Sequence, residues 1–502
     1  MGQTKGKSLG DLGLTARGGR DPRITGMTLD SREVTAGTLF AALPGTRTHG
    51  GEFIQYALRM DAAAILTDAE GARIAADELR ASDAALVLSE DPRAALARAA
   101  ALWFGPQPET MVAVTGTNGK TSVASFCRQI WAALGREAIN IGTTGVEGAW
   151  TFPLHHTTPD QITLQRALAD AVRAGVTHAA MEASSHGLDQ RRLDGVALAA
   201  AGFTNFTQDH LDYHGTFEAY FEAKMGLFDR LLGEDGVAVV NLNDPKGKAV
   251  ARRASALGQE VIAIGGPGSD ARLTLLGQRF DGTGQDLRFS WQGAPRQLRL
   301  DLIGGFQAEN VLIAAGLVIG AGEAASDVFA VLPELRTVRG RMELAATRTS
   351  GAAIFVDYAH TPDAVETALQ ALRPHVMGRI VAIVGAGGDR DAGKRPLMGA
   401  AAAHHADQVI ITDDNPRTED PAVIRAAVLE GAQDAATDQT KLTEVADRAE
   451  AILRGVDALG PGDALLICGK GHETGQTIGT DVLPFDDTEQ ASIAVAALDG
   501  TL

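Results

Sequence analysis

The run Met111-Val112-Ala113-Val114-Thr115-Gly116-Thr117-Asn118-Gly119-Lys120-Thr121-Ser122 constrains the fold of this chain more than any other stretch. Residues 111–114 are apolar and partly β-branched, which suits a buried strand. Gly116 and Gly119 then let backbone amides close around an oxyanion without side-chain interference. Val123, Phe126, Cys127, Ile130, Trp131 and Leu134 follow at i, i+3, i+4, i+7, i+8 and i+11, the spacing of an amphipathic helix whose N-terminus carries a positive dipole end. Strand, glycine turn and helix in that order read as a phosphate-binding loop. In such a loop Lys120 meets the β and γ phosphates and Thr121 holds a magnesium ion. Only two residues separate the glycines, fewer than in the commoner G-x-x-x-x-G-K-[ST] spacing. The bland alternative is a glycine-rich turn that holds no ligand.

At 502 residues the chain is too long for one hydrophobic core and implies about three domains. Residues 21–104 alternate short strands, at 64–66 and 85–88, with alanine-rich helices such as 92–102, a small α/β unit. Gly105-Pro106-Gln107-Pro108 interrupts that pattern as a linker. From 111 to about 337, strands at 178–181, 199–203, 237–240 and 261–264 alternate with helices. Between 273 and 302 the pattern turns to period two, which predicts a small antiparallel sheet attached to a mainly parallel one. A second boundary falls near Thr337-Val338-Arg339-Gly340. The expected fold is therefore α/β in three domains: a small N-terminal α/β domain (1–105), a central phosphate-loop ATPase domain with a mainly parallel sheet (106–337), and a C-terminal Rossmann-like α/β domain (338–502).

In the last domain four apolar strands each run into a polar or glycine turn: 354–356 into Asp357, 380–384 into Gly385, 409–411 into Asp413, and 465–468 into Gly469. Ligands of open α/β sheets sit beyond the carboxyl ends of strands, so these turns should converge on one site. A net charge of −18 argues against nucleic-acid or anionic-membrane partners, so a phosphorylated ligand must be held by local groups. The first twenty residues carry no apolar signal segment, and no run reaches membrane length, which leaves a cytoplasmic chain as the expectation. Two cysteines, Cys127 on an apolar helix face and Cys468 at the end of an apolar run, read as buried small hydrophobes.

Further motifs follow in order: Leu29-Asp30-Ser31-Arg32, Glu182-Ala183-Ser184-Ser185-His186, the run from Asn205 to Gly215, Lys224, Gly340-Arg341-Met342-Glu343, Asp357-Tyr358-Ala359-His360, Asp414-Asn415-Pro416-Arg417 and Gly469-Lys470-Gly471-His472-Glu473. With the Gly116–Ser122 loop they cover nearly the whole chain, which resembles the Mur ligase family, and within it the branch that adds meso-diaminopimelate to UDP-N-acetylmuramoyl-L-alanyl-D-glutamate. The resemblance implies ATP as co-substrate, Mg2+ held by Thr121, Glu182, His210 and a carbamylated Lys224, and a catalytic set of Lys120, Lys224, His210 and Glu182. It implies an ATP site of Gly116, Thr117, Asn118, Gly119, Lys120, Thr121, Ser122, Asn310, Arg341 and Asp357. It assigns Leu29, Ser31, Thr46, Arg47, Thr48, Thr157, Thr158, Ser184, Gln190 and Arg192 to the UDP-muramoyl-dipeptide, and Arg390, Asp414, Asn415, Pro416, Arg417, Gly469 and Glu473 to diaminopimelate. A monomer is expected.

Residue by residue, other readings stand beside these. Helical periodicity alone would make Lys224 a surface charge, and Arg341 and Asp357 could form an interdomain salt bridge. His210 and His214, at i and i+4, could suggest zinc, but no third ligand has metal spacing. Arg417 could be a surface arginine in an Asn-Pro turn. Gly385-Ala386-Gly387-Gly388 hints at a dinucleotide site, but Arg390 stands where the third glycine belongs. A lysine-adding or folylpolyglutamate-type ligase and a regulatory ATPase are the functional rivals.

Overall fold

The computed structural model describes residues 6–45, 48–154 and 156–501. Two compact units divide the chain: Met1–Leu273 with Leu312–Val331, and Thr274–Val311 with Leu332–Leu502.

The first unit carries a short antiparallel pair, Lys7–Ser8 with Arg23–Ile24, and two larger sheets. One is a parallel set of four, Gly26–Thr28, Thr38–Ala41, Ala64–Thr67 and Ala85–Leu88, in that order. Its core joins Leu39, Leu66 and Val87 to Leu96, Ala99 and Ala100 of the helix Pro92–Phe104. Asp91 caps that helix by accepting from the Ala94 amide, with Pro92 in its first turn, and Gly105 at φ 88° follows its end. The linker 105–108 then leads into the strand Thr110–Thr115.

That strand lies within a larger sheet. Its neighbours in order are Gly145–Gly148, Ala138–Gly142, His178–Glu182, then Thr110–Thr115 itself, Leu198–Phe203, Leu232–Asn241 and Glu260–Gly265. All pair in parallel except Gly145–Gly148. A parallel strand covered on both faces needs a continuous apolar run, and Met111, Val112, Ala113 and Val114 are all buried. The helix Lys120–Ala133 packs with Phe126, Cys127, Ile130 and Trp131 fully enclosed, as their spacing requires.

The second unit contains the strands Gly284–Trp291 and Ala294–Leu300, antiparallel with Leu287 paired to Leu298, as period two predicts. Its main sheet runs Glu343–Thr347, Ala353–Asp357, Ala464–Cys468, Ile380–Val384, Gln408–Ile411, Lys441–Glu444, and only the first pairing is antiparallel. Alternate residues face opposite cores: Phe355, Leu466 and Val384 meet the helices Pro362–Leu372, Lys394–His405 and Pro421–Ala435, while Ile354, Ile467 and Ile383 meet Arg448–Asp457 and Asp487–Asp499. This is a sheet wound with helices on both faces. The turns after its parallel strands share one edge, where the Gly469 amide donates to the Asp357 carbonyl at 3.1 Å. Among the described residues no helix is long and apolar enough to cross a membrane.

Candidate active site

In the first unit the phosphate loop is held by the segment after the strand Leu198–Phe203. The Thr117 amide donates to the Asn205 carbonyl at 2.9 Å, the Asn118 amide to Asn205 Oδ1 at 2.8 Å, and Thr204 Oγ1 to the Asn118 carbonyl at 2.6 Å. These bonds amend the sequence reading, in which the loop amides turn toward an anion: the amides of Thr117 and Asn118 are engaged by Asn205. Gly116 is required by packing as well, since a Cβ there would lie 1.8 Å from Thr204 Oγ1. Gly119 takes φ 85° at the head of the helix Lys120–Ala133, whose first turn includes buried Ser122. Lys120 Nζ donates to the carbonyls of Gly116 (2.9 Å) and Thr117 (2.7 Å).

Glu182, the last residue of the strand His178–Glu182, is buried beside this helix. Thr121 Oγ1 donates to its Oε2 at 3.1 Å and the Thr143 amide to its Oε1 at 2.8 Å. Gly142 leaves room for the carboxylate, which a Cβ would approach to 2.0 Å. A hydroxyl and a carboxylate meeting at a helix N-terminus form a hard-oxygen donor set that fits a magnesium ion whose other ligands are phosphate and water.

Lys224, which periodicity alone leaves on the surface, is enclosed. Its Nζ donates to the Gly116 carbonyl at 2.7 Å and lies 4.4 Å from the centre of the Tyr220 ring. Burial, reinforced by the Lys120 charge, lowers its pKa well below the ordinary lysine value, and Asp209 only partly opposes this. His210 starts the short helix Leu211–His214 at φ 52°, with Nε2 3.3 Å from Asp209 Oδ2 and its ring 4.8 Å from His186. Desolvation lowers its pKa, which favours the neutral ring, the form whose lone pair can bind a metal. Among the described residues no three His, Cys, Asp or Glu side chains gather as a group that could hold a metal by themselves.

A cleft of about 1190 Å³ in the same unit brings together Leu29, Ser31, Thr48, Gln190 and Arg192 of the residues assigned to the nucleotide sugar. Thr46 and Arg47 lie outside the described residues. Thr157, Thr158 and Ser184 do not line the cleft; Thr157 Oγ1 meets Thr143 Oγ1 at 3.0 Å, while Thr158 and Ser184 connect the cleft to Glu182: Arg192 donates to the Thr158 carbonyl at 2.6 Å, Thr158 Oγ1 to the Glu182 carbonyl at 2.9 Å, and Ser184 Oγ to Thr158 Oγ1 at 3.0 Å. Arg93, Tyr56 and Asp160 also line the cleft. No motif marks these three, because segments distant in sequence present them.

In the second unit Asn310 lies buried in the helix Phe306–Gly320, donating to Gln307 Oε1 at 3.1 Å. Asp357 accepts from the Met342 amide at 2.7 Å, and burial pushes its carboxyl up to about 6 despite the charge of Arg341. The Arg341 guanidinium lies 4.7 Å from the Tyr358 ring centre.

Most of the residues that the sequence assigns to diaminopimelate lie at the shared strand edge. Arg417 adopts φ 50°, a left-handed backbone held on both sides: its amide donates to the Thr477 carbonyl at 3.1 Å and its carbonyl accepts from the Gly479 amide at 2.7 Å. Its Nη1 donates to the Gly388 carbonyl at 2.8 Å, and the side chain is half-buried, not a loose surface arginine. Asn415 Nδ2 donates to Glu473 Oε2 at 2.9 Å. Asp414 and Pro416 are buried, and the Asp414 carboxylate lies 4.0 Å from buried Arg448, where a Cβ at Gly469 would also reach it. Asp414 is therefore a wall of the site and faces inward, because Arg448 and its partner Asp487 lie beneath it. Arg390 is exposed beside Gly387. Cys127 and Cys468 are both buried free thiols, pushed up by burial, as expected of small hydrophobes.

Three family models match successive parts of the chain: Mur ligase family, catalytic domain over residues 23–104; Mur ligase middle domain over 114–318; and Mur ligase, glutamate ligase domain over 340–471. The UDP-N-acetylmuramoyl-L-alanyl-D-glutamate--2,6-diaminopimelate ligase of Caulobacter vibrioides is 49% identical, covering 95% of this chain and 97% of its own length. The ligase of the same name from Bradyrhizobium diazoefficiens is 49% identical over 94% of this chain and 95% of its own. A solved structure of a UDP-N-acetylmuramoyl-L-alanyl-D-glutamate--2,6-diaminopimelate ligase is 32% identical, covers 98% of this chain and 99% of its own, and superposes with a TM-score of 0.71. With an α/β fold, three matching domain models and likeness along nearly its whole length, this chain belongs to the Mur ligase family.

Proposed function

We propose that this chain is the ATP-dependent ligase that joins meso-diaminopimelate to UDP-N-acetylmuramoyl-L-alanyl-D-glutamate in peptidoglycan precursor synthesis. The observation that carries the reading is 49% identity to ligases of that name along 95% of the chain. The three modules are 1–105 for the nucleotide sugar, 106–337 for ATP, and 338–502 for the amino acid, in a cytoplasmic monomer.

A carboxylate is a poor electrophile, so the γ-carboxylate of D-glutamate first takes the terminal phosphoryl group of ATP to form an acyl phosphate. The amine of diaminopimelate then attacks the acyl carbon and phosphate leaves. Lys120 neutralises charge on the transferred group, which is mainly a matter of positioning and electrostatics. Thr121, Glu182 and His210 are the residues that would hold Mg2+, which supplies charge neutralisation at the phosphates. Lys224, a buried amine whose neutral form burial favours, can bond the carbon of CO2 and release a proton, and the resulting carbamate is an anion suited to the same cation. Asn310, Arg341 and Asp357 take the nucleotide end of ATP.

At the acceptor, Arg417 offers a planar bidentate donor to the distal carboxylate that lysine lacks, with Arg390 for another carboxylate and Asn415, Gly469 and Glu473 completing the pocket. An unpaired guanidinium in a closed site costs on the order of 3 kcal/mol, so diaminopimelate should be preferred to lysine by roughly a hundredfold or more. The test is ADP release with UDP-muramoyl-dipeptide and a panel of amino acids. Turnover should require both co-substrates, favour diaminopimelate, and lose that preference in Arg417→Ala. ATP hydrolysis with neither co-substrate present would favour the regulatory ATPase, and equal use of lysine would remove Arg417 from its role.

A further inference from the structure

Lys470 is fully buried, yet nothing above gives its ammonium a part. The strand Ala464–Cys468 ends in Gly469 at φ 116° and Gly471 at φ 54°, one on each side of this lysine. A Cβ at Gly469 would lie 2.3 Å from Asp414 Oδ2, and one at Gly471 2.7 Å from the Cβ of Tyr358. Both positions require glycine, and the tight turn they allow sends Lys470 inward.

There its Nζ donates to Asn415 Oδ1 at 3.1 Å and lies 3.3 Å from Glu473 Oε2. Asn415 Nδ2 donates to the same Oε2 at 2.9 Å, while the Thr477 amide donates to Asn415 Oδ1 at 2.8 Å, which fixes the way that amide faces. The Glu473 amide donates to the Lys470 carbonyl at 3.0 Å, bringing the carboxylate back over the lysine. Both donors reach Oε2; among the described residues Oε1 receives none, and the Glu473 side chain is one-third exposed. Burying an ammonium for stability alone is a poor use of the position, because an apolar side chain of similar volume is commonly neutral or better.

We infer that Lys470 is a positioning residue of the acceptor site: it clamps Asn415 and one oxygen of Glu473, so that Glu473 Oε1 is preset for the distal ammonium of the amino acid. The inference rests on the ligase reading above and deepens it. Arg417 then takes the carboxylate of that distal centre and Glu473 its ammonium, each held before the acceptor arrives.

Initial-rate kinetics with each of the three substrates varied in turn test this. Lys470→Gln keeps hydrogen-bonding groups but loses the charge; it should raise the KM for diaminopimelate about tenfold or more while leaving those for ATP and the nucleotide sugar within about twofold. Lys470→Arg, which keeps the charge, should recover part of that loss. Glu473→Gln should raise the same KM, and adding Lys470→Gln to it should cost little more, because the two residues act as one unit. An unchanged acceptor KM in Lys470→Gln, a parallel rise in all three KM values with a fall in melting temperature, or full additivity in the double variant would overturn the inference. If Lys470→Gln does not fold, an unchanged acceptor KM in Glu473→Gln overturns it alone. Failure of the wild type to use diaminopimelate is a separate result, which defeats the ligase reading itself.

Discussion

A lysine amine enclosed in a fold keeps its proton only where partners stabilise the charge, and Lys224 has one carbonyl and the face of Tyr220. Lys120 adds repulsion, which favours the neutral amine, the form able to take up CO2. Lys224→Arg places a permanent cation there that cannot be carbamylated, and turnover should fall by about a hundredfold or more. Near-normal turnover would remove the carbamate from the mechanism. Asp357 carries a second prediction. Its carboxyl, ordinarily near 3.8, is raised to about 6 in the fold. The folded chain therefore holds the proton more tightly than the unfolded one between those values. The stability this contributes is fully present below pH 4 and lost as the pH rises through 6. Asp357→Asn, which can still accept from the Met342 amide, should be more stable than wild type by on the order of 2 kcal/mol at pH 8, and by almost nothing at pH 4. Urea midpoints at the two pH values measure this, and a pH-independent difference would contradict it.

Turns at strand ends carry most of the chemistry, and glycine decides what they can hold. A Cβ at Gly387 would lie 2.8 Å from Arg417 Nη1, the end of a flexible side chain. Gly387→Ala should therefore displace the guanidinium without unfolding the sheet, raising the acceptor KM roughly tenfold with little change in melting temperature. A wild-type KM would show that the arginine can move aside at no cost to binding. The strands that feed these turns are legible in the sequence because each is an uninterrupted apolar run, as in Ile380–Val384 and Ala464–Cys468, buried on both faces. Lys441–Glu444 is not: it is a polar edge strand, paired on one side, with Lys441 and Glu444 exposed. Gly26–Thr28 is too short to print a period. Within the site, the loop, Glu182 and the Asn415-Pro416-Arg417 turn announce themselves by local composition. Thr143 and Arg93 cannot, because each arrives through the tertiary fold from a segment whose own pattern is ordinary, and the motif at Asn205 does not reveal that its side chain and carbonyl grip the loop. The buried state of Lys224 is likewise hidden, since helical spacing does not reveal what packs over a helix.

At the level of the whole molecule, the chain passes from one compact unit to the other after Leu273, Val311 and Val331. No single scission can therefore release either unit as a continuous polypeptide. A piece starting at residue 338 would lack 274–311, which supplies the Gly304 amide bound to His375 Nε2 at 3.0 Å and the Asp281 carbonyl bound to its Nδ1 at 2.7 Å. It would also lack Ile303 and Phe306 from the core around Phe355 and Leu369. Loss of those apolar groups and of two hydrogen bonds, one buried and one partly so, should lower its stability by on the order of 3 kcal/mol or more relative to a polypeptide carrying both segments, readable as an earlier urea transition. A chain nicked by protease in the 105–108 linker should leave products that still co-purify, and any attempt to graft the second unit onto another enzyme must transplant two separate lengths of chain.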